Sequence, residues 1–179
     1  MTTSIAPLER EHLPALRRFL DGLPEGDVTF IKEDVRDPGV AEAWLRETGA
    51  GRRCVMLGDD GTVVGLVAVE PLVGWSSHVG HLRLVVDPAH RGRGIGRALT
   101  MHALRVALDA GLAKLVVEVV AEQEGAVRMF TDLGFRAEAV LEGHIRDRSG
   151  SLRDLLVLAH DVDDEWATMA TVGLAEDVR

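Results

Sequence analysis

The stretch Leu82-Arg83-Leu84-Val85-Val86-Asp87-Pro88-Ala89-His90-Arg91-Gly92-Arg93-Gly94-Ile95-Gly96-Arg97-Ala98-Leu99 constrains the fold more than any other part of the chain. An apolar β-like run passes through Asp87-Pro88 into a turn with alternating glycines, and helical periodicity begins at Ile95. Glycines in such a turn let successive backbone N–H groups converge, because no Cβ blocks unusual dihedrals or the approach of a ligand. The following helix N-terminus adds partial positive charge, and Arg91, Arg93 and Arg97 add full charges. Together they predict a site for a di-anionic pyrophosphate. The plainer reading of the same residues is a glycine-rich connection with solvated arginines.

Glycine spacing narrows which pyrophosphate is expected. A dinucleotide fingerprint G-x-G-x-x-G fails in both registers, since its third glycine falls on Arg97 when counted from Gly92 and on Leu99 when counted from Gly94. Glu118 lies at a tempting distance beyond for a ribose ligand, but the motif sits mid-chain, with too little sequence after it for the usual nucleotide fold. No lysine follows these glycines, so the Walker pattern is absent as well.

The remaining pattern surrounds this unit with further strands and helices. Leu13, Leu16, Phe19 and Leu20 form a helical stripe, and Val40, Ala43, Trp44 and Leu45 a shorter one. Cys54–Leu57 and Thr62–Leu72 read as strands joined by the turn Asp59-Asp60-Gly61, with a third strand at Val79–Val86. After the loop come a helix to about Ala110, a valine-rich buried strand at Leu115–Val120, and a helix over Ala126–Leu133. A final hairpin spans Ala137–Ile145 and Leu152–His160. This order predicts an α/β (α+β) fold, a mixed central sheet with helices on both faces.

Composition fits one ordinary domain: 179 residues, 46% apolar and 27% charged. A chain of this length buries roughly 70% of its unfolded surface and needs no disulfide or metal to stay folded. The single cysteine, Cys54, reads as a buried strand residue. A net charge of −9 argues against nucleic-acid binding. The acidic excess is concentrated after His160, where Asp161, Asp163, Asp164, Glu165, Glu176 and Asp177 stand against Arg179. No apolar run approaches the ~18 residues of a membrane span, and the N-terminus lacks the basic start and apolar core of a signal peptide. A cytoplasmic protein is therefore expected.

Arg91-Gly92-Arg93-Gly94-Ile95-Gly96 resembles the acyl-CoA pyrophosphate loop of the GCN5-related N-acetyltransferases, R/Q-x-x-G-x-G/A. The preceding Leu84-Val85-Val86-Asp87-Pro88 is similar to that family's strand and its exit. A second block, Gln123 through Ala126 and Phe130 to Gly134-Phe135, resembles the family's N-x-x-A-x-x-L-Y-x-x-x-G-F. The likeness runs from Leu8 to Val162 and implies a domain over 1–162, followed by an acidic tail at 163–179 that could form a short helix. It departs twice: Gln123 replaces the asparagine, and Phe130 replaces a tyrosine that often protonates the leaving thiolate. The chain contains no tyrosine at all, which leaves a non-catalytic acyl-CoA-binding module as the alternative to an enzyme.

The resemblance implies acetyl-CoA as acyl donor, with Leu84, Val85, Val86, Arg91, Gly92, Arg93, Gly94, Ile95, Gly96, Arg97, Gln123, Ala126 and Phe130 as cofactor-binding residues. It implies a primary amine acceptor that attacks the thioester directly, with a backbone N–H near Leu84–Val86 receiving the oxyanion. An alkylammonium of pKa ~10 must first lose a proton. His78, His81, Glu118 and Glu122 are the candidate bases, and His81 and Glu118 are the catalytic expectation. Each also has a structural reading, as a hydrogen-bonded strand histidine or as a carboxylate paired with an arginine. His78 and His81 sit on opposite strand faces with no third ligand evident, so no metal is expected. Residues 27–37, including Glu33 and Asp34, fall where the family's substrate loop lies and would suit a cationic amine. Trp75, just before the central strand, is read as core, with a place on the acceptor pocket wall as the alternative. A homodimer is one oligomeric option, and neither nucleic acid nor membrane is an expected partner.

Overall fold

The computed structural model describes residues 3–28, 31, 33–47 and 52–162. Strands β1 (Thr3–Pro7), β2 (Arg53–Gly58), β3 (Val63–Pro71), β4 (Val79–Val86), β5 (Lys114–Val120), β6 (Arg136–Arg146) and β7 (Leu152–Asp161) form a seven-stranded sheet in the order β1-β2-β3-β4-β5-β7-β6. Helices are α1 (Leu13–Gly22), α2 (Glu25–Val28), α3 (Val40–Glu47), α4 (Ile95–Asp109) and α5 (Glu124–Asp132). Only β4 and β5 pair in parallel; the other neighbours are antiparallel. The parallel pair requires the α4 crossover between its strands, whereas short turns suffice for the hairpins.

Strand alternation divides the apolar residues between two faces. Val67, Val69, Leu82, Leu115, Val117 and Val119 pack against Leu99, Ala103 and Leu104 of α4 and Phe130 of α5. On the other face Val55, Val63 and Leu66 meet Leu16, Phe19 and Leu20 of α1 and Val40, Ala41 and Trp44 of α3. Each large side chain buried this way contributes about 1.5–3 kcal/mol. A Cβ on Gly65 would stand 2.7 Å from Leu99 Cδ1, so α4 lies almost directly on the β3 backbone. Helices on both faces of a mixed sheet are the expected architecture.

Three features differ from the sequence reading. Thr3–Pro7 is an edge strand paired with β2 from Thr3–Gly58 to Pro7–Cys54, although its short run ending in proline shows no period-2 signal. Glu25–Val28 forms a single helical turn. Trp75 is not core: it stands 97% exposed in the β3–β4 connection, next to exposed Val73. The acidic tail 163–179 and its possible helix lie outside the described residues.

Candidate active site

The β4–β5 ladder runs from Val79–Lys114 to Leu82–Val117 and then stops, while β4 continues to Val86 and β5 to Val120. Beyond that point β4 stays paired with β3 as far as Val86–Gly65, and β5 with β7 as far as Val120–Leu155. The sheet therefore opens between its two central strands. A cleft of about 990 Å³ fills the gap and runs to the N-terminus of α4.

Backbone direction along β4 can be read from its ends. The Val79 carbonyl accepts from Leu72 N–H and Asp87 N–H donates to Val64, so odd-numbered residues turn their backbone groups toward β3. The His78 carbonyl accepts from Ala113 and Lys114, which places even-numbered residues toward β5. Hence Leu84 and Val86 present their N–H groups to the gap. Val85 does not: its N–H faces β3, and its side chain packs toward the α1 and α3 core. Of the three residues Leu84–Val86, two therefore turn a backbone donor to the gap.

At the far end of β4 the chain turns through Asp87, whose Oδ1 accepts from Ala89 N–H at 3.0 Å and whose Oδ2 lies 2.9 Å from His90 Nδ1. Gly94 caps α4 with φ +80°, a left-handed conformation open to glycine at little cost. Gly96 serves a different purpose: a Cβ there would lie 2.9 Å from Met129 Sδ, so its hydrogen lets α5 approach α4. The first intrahelical bond runs from Ala98 N–H to the Gly94 carbonyl. The N–H groups of Ile95, Gly96 and Arg97 precede it and have no partner within the helix, the arrangement that favours an anion.

Of the predicted cofactor residues, Leu84, Val85, Val86, Arg91, Gly92, Gly94, Ile95, Gly96, Arg97, Gln123, Ala126 and Phe130 all line the cleft. Arg93 is exposed and off that lining. Phe130 is buried, with Phe135 edge-on at a centroid distance of 5.2 Å. Arg91 Nη2 donates to Asp27 Oδ2 at 2.7 Å, tying the glycine loop to α2. The other end of α2 is held by Glu25, which accepts from Arg36 and from Arg148 in the β6–β7 turn.

His81 and Glu118 meet across the opening. His81 Nε2 lies 3.7 Å from Glu118 Oε1, both side chains are largely buried, and both line the cleft. They face the same side of the sheet because His81 pairs with Val116, two residues before Glu118. His78 is exposed and away from the cleft, and Glu122 is engaged by Arg153 at 3.3 Å. Among residues that sequence reasoning did not single out, Arg83, Met129, His144, Ile145 and Leu155 also line the cleft. For Arg83 a signal existed, since it follows His81 by one full strand period.

The model of the acetyltransferase (GNAT) family matches residues 16–135. N-acetyltransferase 8F1 of Rattus norvegicus is 33% identical over 127 residues, covering 68% of this chain and 55% of that protein. Mycothiol acetyltransferase of Amycolatopsis mediterranei is 36% identical over 124 residues, covering 66% of this chain and 39% of that protein. The match thus spans from about two fifths to just over half of these relatives. A Salmonella typhimurium structure solved with its cofactor acetyl-CoA superposes with a TM-score of 0.76 at 19% identity, covering 92% of this chain and 96% of that one. No helix among the described residues is long and apolar enough to cross a membrane.

Proposed function

Because the chain belongs to the acetyltransferase (GNAT) family, we propose that it transfers an acetyl group from acetyl-CoA to a primary amine. The observation that carries this reading is the His81–Glu118 pair at 3.7 Å, set in the opening beside the backbone N–H groups of Leu84 and Val86. Acetyl-CoA supplies a thioester that the amine attacks directly. Arg91 and the N–H groups of Ile95, Gly96 and Arg97 fit its pyrophosphate, and the splayed strands leave room for the arm between them.

His81 takes the proton from the incoming ammonium, a role open to neutral imidazole near pH 7. Glu118 stabilises the imidazolium that results, as a carboxylate at this distance does. Leu84 or Val86 N–H donates to the tetrahedral oxyanion, and one such donor supplies roughly 3 kcal/mol. Phe130 packs beside the thioester without a proton to give. A thiol of pKa ~8.5 leaves as thiolate at neutral pH without that help, and the thiolate then takes up the second proton that the nitrogen sheds as the amide forms.

Glu33 and Glu118, on the cleft wall with His81, favour an acceptor whose amine arrives as a cation. A cytoplasmic location goes with this reading, in keeping with a sequence whose one cysteine, Cys54, is buried in the core. The test is release of free thiol from acetyl-CoA over a panel of amines. Release dependent on amine supports transfer; calorimetric acetyl-CoA binding without release on any amine leaves a binding module instead.

A further inference from the structure

Arg83 lines the cleft one strand period beyond His81, and its guanidinium is held from behind. Buried Trp44 stacks on Arg53, with the guanidinium carbon 4.6 Å from a ring centroid. Arg53 Nη2 donates to Glu70 Oε1 at 2.8 Å, and Arg83 Nε donates to Glu70 Oε2 at 2.8 Å. Each oxygen of Glu70 thus takes one arginine, and the Arg83 fork is fixed through its Nε. Glu33 Oε1 stands 3.8 Å from that same Nε, too far for a hydrogen bond.

The terminal nitrogens of Arg83 donate to no described group, on a side chain that is 28% exposed. Burial works against the charge, but the bond to Glu70 and the nearby Glu33 and Glu118 keep the guanidinium pKa raised. Because Glu70 is shared between two arginines, it does not neutralise both. A planar fork, oriented in advance and with its outer N–H groups uncommitted, is matched to a carboxylate.

We infer that the acceptor carries a carboxylate next to its amine, as an α-amino acid does, and that Arg83 binds this carboxylate while His81 and Glu118 face the amine. Residues two apart on a strand are about 7 Å apart, and both side chains reach inward from that spacing, so one small zwitterion can engage both. The acidic lining then receives the ammonium and Arg83 the anion. This inference rests on the acetyl-transfer reading and names its substrate class.

The experiment measures thiol release by the full chain with matched acceptors: an α-amino acid, its carboxamide and its decarboxylated amine, over several side chains. The acid form is expected to win by about 10- to 100-fold in kcat/KM, the range of a charge-assisted pair, mostly through KM. In Arg83→Gln the acid loses that advantage, its KM rising by about the same factor with a far smaller change in kcat. Arg83→Lys, which keeps the charge but not the fork, recovers part of it. If Arg83→Gln does not fold, the wild-type series decides alone. Equal or better turnover of the carboxamides or decarboxylated amines overturns the Arg83 assignment and leaves acetyl transfer standing. No release with any amine removes both.

Discussion

Arg91 and Asp27 lie 64 positions apart in sequence, yet the guanidinium of one donates to the carboxylate of the other at 2.7 Å. Asp27 is the more buried partner, with its side chain 19% exposed against 51% for Arg91. The carboxylate sits where an anion held by the glycine loop would seek the same arginine. A pyrophosphate must therefore compete with Asp27 before it gains Arg91. Asp27→Asn removes the competitor, and we expect its CoA affinity to rise up to about fivefold, the worth of a partly exposed ion pair. Calorimetry at fixed ionic strength tests this; an affinity unchanged or lowered would show that the bridge does not oppose the cofactor.

The His81–Glu118 pair makes a separable prediction. His81→Ala should lower kcat by about 10²–10⁴-fold, the usual loss of a general base, while CoA affinity stays near wild type. Glu118→Gln keeps the shape but removes the charge 3.7 Å from the ring, and its loss should be smaller, about tenfold. Near-native turnover of both variants at saturating amine would assign deprotonation to a water chain instead.

The elements around this pair were legible because their signals are local. Leu115–Val120 is a continuous apolar run, and Ile95, Leu99 and Ala103 recur at helical spacing. The glycine loop was legible for the same reason. What could not be read depends on contacts between distant positions. The Asp27–Arg91 and Glu25–Arg148 pairs join α2 to two distant turns that no periodicity links to it. The end of the β4–β5 ladder after Leu82 leaves no mark in a strand that stays apolar to Val86. Trp75 misled because a large aromatic residue is usually buried, whereas this one sits on an exposed connection.

Cys54 gives a pH prediction. Burial pushes its thiol up to about 11, and Sγ meets His102 Nε2 at 3.3 Å inside the fold. The folded state therefore holds the proton more tightly than the unfolded chain. The resulting stability is whole below the unfolded thiol's pKa of ~8.5 and is lost as pH rises through about 11. Melting temperatures between pH 8 and pH ~11.5 should fall more steeply for wild type than for Cys54→Ala. A thiol reagent at pH ~8 should label Cys54 only in denaturant, and rapid labelling of native protein would contradict the buried assignment.

Gly94 and Gly96 are expected to fail for different reasons. Gly94→Glu forces a side chain into a backbone with φ +80°, costing about 1–2 kcal/mol, and sets negative charge against the α4 N-terminus. The folded variant should lose CoA binding. Gly96→Ala instead meets Met129 Sδ at 2.9 Å, a flexible thioether that can yield, and Met129→Ala in the same chain should restore what it costs. Calorimetric affinity at the wild-type level in Gly94→Glu would remove the phosphate-loop assignment.

Phe130 tests how the leaving sulfur is handled. Its ring is buried at 3% exposure, packs edge-on to Phe135 at 5.2 Å, and still reaches the cleft lining. Phe130→Leu should therefore cost mainly stability and cofactor affinity, roughly 1–2 kcal/mol of lost burial. Phe130→Tyr adds a hydroxyl with little change in shape. If protonation of sulfur limits the rate, that hydroxyl raises turnover, most visibly below the thiol pKa of ~8.5. If deprotonation of the amine or release of product limits, turnover stays within a few-fold. The second outcome is expected, because His81, Glu118 and the Leu84 and Val86 N–H groups already assemble around the opening without a phenol anywhere in the chain. A gain of tenfold or more in Phe130→Tyr would show that wild type lacks a proton donor it needs, and would shift weight to a chain that binds acyl-CoA rather than turning it over.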